Sequence, residues 1–225
     1  MERDHERPRL PRELEFDVDR IATFNDAVMA IAITLLVLDL SPEIADGATN
    51  QQVWEALKDL VPNFLAFAFS FWLISRFWTS NLLYFQAVKK IDMTTLQFNV
   101  FFLFIVALLP FPTALLATTH VTEASVIVYS TALVLASVAQ AGLWFRLEKE
   151  EHRTDDTAAF AVRFRTLQYL ISAIVFIISI PLAMLNVYLA MGFWVLFGFT
   201  RLFAEYSSDN IHWVDKRFGR ERDSR

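Results

Sequence analysis

The sequence predicts an all-α integral membrane protein with six transmembrane helices per subunit. Three observations lead there. Of 225 residues, 55% are hydrophobic and 15% aromatic, with a mean hydropathy of +0.39. A soluble domain of this size needs less apolar material. The apolar residues gather into six runs, each near the roughly 20 residues that a helix needs to cross a hydrocarbon core of about 30 Å. Lysine and arginine are also distributed one-sidedly over the loops that those runs define. The runs are too long and too uniformly apolar for alternating barrel strands.

The first run, Ile21–Leu40, opens on a polar foot of Arg20, Asn25 and Asp26 and then carries no charge until Asp39. Pro42 stops it. The loop Ser41–Asp59 is expected to hold a short amphipathic helix near Gln51–Leu57, with Trp54 towards the membrane. Leu60–Phe85, Leu96–Ala117 and Ala124–Phe145 are the second, third and fourth spans. Leu167–Val187 and Leu189–Tyr206 are the fifth and sixth, since a single helix over both would be far too long. A tight turn at Asn186 divides them. Residues 1–16 read as a cytoplasmic tail, 17–206 as the transmembrane domain and 207–225 as a second cytoplasmic tail. The N-terminus lacks a basic region and small-residue cleavage site, so the first apolar run is expected to be a retained helix.

With six spans, sixteen of the 20 Lys and Arg residues fall in the tails and in the loops Gln86–Thr95 and Arg146–Thr166, all on one side. Only Lys58 lies on the other. Such a bias places that side, with both termini, in the cytoplasm. There are no cysteines, so disulfides and thiolate chemistry are excluded. His5, His120, His152 and His212 fall in loops or tails without metal-ligand spacing, so neither a metal site nor an enzyme is expected. No basic patch with interleaved aromatics points to nucleic acid. The charge run 148–157 reads as a solvated loop.

The charges inside the spans gather at one depth. Arg20 and Asp26 sit at the inner end of the first helix, and Arg76 lies about nine residues before the inner end of the second. Arg201 and Glu205 are spaced i, i+4 near the end of the sixth. These predict an inner polar collar in which Asp26 pairs with Arg76 or Arg20, because a short aspartate cannot reach the headgroups as an arginine can. Farther along the first helix, Ile31, Leu35 and Leu38 share one face, bordered by Thr34. From that spacing alone, helix packing or lipid contact is the expected reading, and periodicity does not distinguish a pore lining from a packed face.

Arg20, Phe24, Asn25 and Asp26, followed by AVMAIAITLLVL, resemble the R-x-x-x-F-S-D signature of the transmembrane protein 175 family. These are endosomal and lysosomal potassium channels with bacterial relatives. Leu96–Leu116 resembles the family's third helix with its Leu-Pro-Phe-Pro ending, and Phe77-Trp78 resembles its aromatic–Trp pair. The likeness covers about residues 17–117. Two positions depart from it. Asn25 replaces the motif serine, and Ser80-Asn81 stand where many relatives carry two histidines. A histidine link to Asp26 therefore cannot form, and Asn81 or Arg76 is the candidate substitute.

The resemblance implies a homotetramer whose first helices line one central pore, in a bacterial cell membrane with lipids around it. It implies Ile31 as the narrowest ring, Leu35 and Leu38 as rings farther out, and Thr34 as a ring of hydroxyls. It implies passive, potassium-preferring conduction of monovalent cations, with proton leak along the same path and no cofactor beyond the permeant potassium. The rival readings are a secondary transporter, which usually shows helices broken mid-membrane, and a non-conducting membrane scaffold.

Overall fold

The computed structural model describes residues 17–42, 44–117, 121–148, 152–154 and 159–195. Seven α-helices and a further helical stretch over 187–195 run through them: α1 Val18–Leu35, α2 Asn50–Asp59, α3 Val61–Ala87, α4 Met93–Leu108, α5 Pro110–Leu116, α6 Glu123–Arg146 and α7 Ala159–Leu185. A 3₁₀ turn, Leu36–Asp39, continues α1. The tails 1–16 and 207–225 lie outside the described residues, as do Arg201, Glu205 and most of the charge run.

The expected count of six spans is overturned. Among the described residues, four stretches are long and apolar enough to cross a bilayer: Val18–Asp39, Met93–Leu116, Glu123–Arg146 and Ala159–Leu185. The pair α2 and α3, bent by 46°, supplies a fifth if it is one span. The segment proposed as the sixth, Leu189–Tyr206, is described only to residue 195. Hydropathy counts apolar residues, and it assigned a full span to a stretch whose described helix is 187–195. At its start, Asn186 interrupts the helix and its Oδ1 accepts the backbone N–H of Tyr188 at 2.8 Å and Leu189 at 3.3 Å. That is an N-cap, which satisfies donors a new helix leaves open.

The other boundaries also have local causes. Asp17 caps α1 through the backbone N–H groups of Asp19 and Arg20. Thr49 with Gln52, and Thr122 with Ser125, form capping boxes at α2 and α6. The third run divides at Leu109, because Pro110 and Pro112 have no N–H to bond the carbonyls one turn back. Thr113 partly compensates, its backbone N–H and its hydroxyl both donating to the Leu109 carbonyl. α7 begins eight residues before the apolar run, at Ala159, carrying Arg163 and Arg165 beyond the apolar zone.

α6 is the central helix and α1 the peripheral one. The most apolar stretch of α6 is 61% buried and that of α1 only 22%. α6 packs most extensively on α7 and also on α4 and α5, while α1 rests on α3 and α4. Ile74, Phe77 and Tyr84 of α3 meet Phe102 and Val106 of α4, Tyr129 and Leu133 of α6, and Phe176 of α7 in one apolar core. The start of α1, the end of α3, the start of α4, the end of α6 and the start of α7 share one end of the subunit. There the backbone N–H of Lys89 donates to the His152 carbonyl at 2.8 Å, and that of Thr154 to Ala87 at 2.9 Å. These bonds clip the α6–α7 loop to the α3–α4 turn.

Candidate conduction helix and its inner polar clamp

α1 buries one narrow stripe: Asn25, Met29, Ala32 and Leu36, spaced i, i+4, i+7, i+11. Everything else on it faces outwards or is half-buried. Ile31 is 59% exposed, Leu35 41% and Leu38 66%. Thr34 is exposed on the same side, with its hydroxyl donating to the Ile31 carbonyl at 2.9 Å. The 3₁₀ winding keeps Leu38 in line, since side chains three apart eclipse in that geometry. From Ile31 to Leu38 the exposed stripe is about 12 Å long, four residues at about 1.5 Å and three at about 2.0 Å.

The polar foot is built differently from the expected collar. Asn25 and Asn99 of α4 exchange two amide hydrogen bonds, Asn25 Nδ2 to Asn99 Oδ1 at 2.8 Å and Asn99 Nδ2 to Asn25 Oδ1 at 2.9 Å. Both side chains are buried. A serine at position 25 could not reciprocate in this way, having one donor hydrogen and a shorter reach. Asp26 accepts from the indole of Trp78, Nε1 to Oδ1 at 2.8 Å, at an exposed position. Its partner is thus an aromatic donor rather than an arginine.

Arg76 lies two positions away on α3, about 200° around the helix. It lines a cavity against α6 and α7 instead of reaching α1. Ser80 also faces α6, where its hydroxyl meets Gln140 Nε2 at 3.1 Å and Trp144 Nε1 at 3.0 Å. Asn81 is buried with neither amide atom hydrogen-bonded. Arg20 and Phe24 line an open groove between α1 and α4 with Asp17, Ile21 and Asn99.

The clamp partner Asn99 is positioned from the N-terminal end of α4. Asp92 caps that helix, accepting the Thr95 backbone N–H at 2.9 Å, and pairs with Arg146 at the end of α6. Burial alone would raise the Asp92 carboxyl. The Thr95 hydrogen bonds, with the charges of Arg146 and His152, outweigh it and hold the carboxyl below its ordinary range. Asn99 and Asp92 were not among the residues singled out from sequence, and Trp78 was noted there only as part of the aromatic–Trp pair, with no partner assigned to it. A polar residue within the otherwise apolar Leu96–Leu116 was the signal available for Asn99.

Several bilayer-length helices, one of them turned outwards from its own subunit, define a multi-pass membrane protein. Residues 20–110 match the family model described as endosomal/lysosomal potassium channel TMEM175. A potassium channel from Streptomyces collinus is 36% identical over 157 residues, covering 65% of this chain and 74% of that protein. A potassium channel from a Chryseobacterium species is 30% identical, covering 79% and 88% respectively. The crystal structure of a lysosomal potassium-selective channel TMEM175 homolog from Chamaesiphon minutus superposes with a TM-score of 0.71 at 28% identity, over 82% of this chain and 96% of that one. The chain belongs to the TMEM175 family. It is a member of a channel family and not an enzyme. Among the described residues, no group of three or more His, Asp or Glu could hold a metal ion.

Proposed function

We propose that this chain is the subunit of a potassium channel in which α1 lines the conduction path. The observation that carries the reading is the narrow buried stripe of α1. A membrane helix seated by one line of residues presents its other faces to lipid or to further copies of the chain. The copies are taken to be four, as the family resemblance implies, with Ile31, Leu35 and Leu38 forming successive apolar rings. Such rings gate by dewetting. Thr34 adds oxygens between them. Its proton is committed to the Ile31 carbonyl, so the oxygen lone pairs are left to face a partly dehydrated cation. Potassium sheds water more readily than sodium, which favours it at such a ring. Proton passage along the same path belongs to this reading.

The end that carries the start of α1 and the clipped loops holds Arg20, Lys89, Lys90, Arg146, Arg153, Arg163 and Arg165, against Lys58 at the other end. It is taken to face the cytoplasm of a bacterial cell. The expected cytoplasmic C-terminus lies outside the described residues.

The test is cation flux into liposomes holding the purified protein, under potassium and then sodium gradients. Passive flux favouring potassium is expected, rising in Ile31→Asn with a weaker preference. Flux and selectivity unchanged by Ile31→Asn would remove α1 from the path. No flux in either protein would leave a scaffold.

A further inference from the structure

Away from α1, the subunit forms a half-open cavity of about 40 Å³ between α3, α6, α7 and the helical stretch 187–195. Its walls are mostly aromatic, including Trp72, Phe77, Tyr169 and Phe176. Two polar groups on it are fully enclosed and make no hydrogen bond: the Ser137 hydroxyl, with the residue 0% exposed, and the Trp194 indole N–H, with the residue 3% exposed. Arg76, Tyr169 and Ser172 also line it.

An indole N–H only donates, and a serine hydroxyl can both donate and accept. A buried donor left without an acceptor costs about 1–3 kcal/mol, so the space calls for a ligand with lone pairs. Its size restricts that ligand. One water needs roughly 10–15 Å³ measured in this way, so the volume admits about three or four waters and no lipid chain. The surroundings differ one helix turn or two away. Tyr129 is equally enclosed, yet its hydroxyl is bonded to Ser70 at 2.9 Å.

We propose that this cavity is an internal hydration site, holding ordered water bonded to Ser137 Oγ and Trp194 Nε1 beside Arg76. The water accepts from the indole and exchanges a hydrogen bond with the serine. The site stands apart from α1, and its test requires no ion flux.

The test is pulsed radiolytic hydroxyl labelling of the full chain in nanodiscs, read by mass spectrometry, since radicals form from bound water in contact with a buried ring. Trp194 and Tyr169 are expected to label well above Tyr129, the enclosed control. Ser137→Val, which deletes the hydroxyl and fills the space, should lower Trp194 labelling by about threefold or more, and Ser137→Ala by less. If Ser137→Val does not fold, the comparison of Ser137→Ala with the parent decides. Labelling at Trp194 and Tyr169 no faster than at Tyr129 would show a dry cavity and overturn the proposal. Labelling unchanged in every folded Ser137 variant would overturn it too, because the radicals would then come from elsewhere.

Discussion

Replacing Asn25 with leucine leaves the Asn99 amide facing an apolar side chain in a buried position. Two bonds, of 2.8 and 2.9 Å, are lost together. Hydrogen bonds between membrane helices couple by about 0.6 kcal/mol on average and up to about 1.7. Two of them predict a coupling of about 1–3 kcal/mol between positions 25 and 99. Asn25→Leu and Asn99→Leu should each destabilise the protein, whereas the double variant should be more stable than their sum by that amount, since no amide is then stranded. Reversible unfolding in mixed micelles, measured for the parent, both single variants and the double, gives the cycle. Additivity within about 0.3–0.5 kcal/mol would refute the clamp, because that is the range expected of residues that do not touch.

Trp78→Phe removes the indole donor to Asp26 while keeping a ring. The exposed carboxylate regains water, so amide exchange around Asp26 should rise by no more than about fivefold, equivalent to about 1 kcal/mol. Asp92 contributes through a depressed carboxyl. Its stabilisation is present above the ordinary carboxylate value near 3.9 and is lost as pH falls through the lower folded value. Unfolding midpoints of the parent should therefore drop on acidification below about pH 4, and that component should vanish in Asp92→Asn, which still caps α4. Thr34→Val keeps the shape but removes the oxygen. Reversal potentials in planar bilayers should show a weaker potassium preference, restored in Thr34→Ser, and an unchanged preference would take Thr34 out of selectivity.

Position along the chain was legible in the sequence, whereas azimuth was not. The first, second and fourth runs lie within two or three residues of their helices, since apolar length marks where a chain can cross a bilayer. α7 began eight residues early because a helix can outlast its apolar stretch when Arg163 and Arg165 reach towards water. The count differs at the C-terminal end, where the last run is described only to residue 195. Asp26 bonds Trp78, two residues along α3 from Arg76. Nothing in that spacing says that Trp78 points to α1 while Arg76 points to α7. The Asn25–Asn99 bond joins residues 74 positions apart, and no local period encodes which helices meet.

The 3₁₀ turn Leu36–Asp39 has a mechanical consequence. Rewound as α-helix, those four residues would shorten by about 2 Å, and Leu38 would swing by about 60° from the line of Leu35. Neither change requires Asn25, Met29 or Ala32 to leave its seat. The C-terminal end of α1 is therefore a vernier that turns Leu38 through a sixth of a circle, and its present setting is held by the buried Leu36 and by the Asn63 amide, which donates to the Asp39 carbonyl.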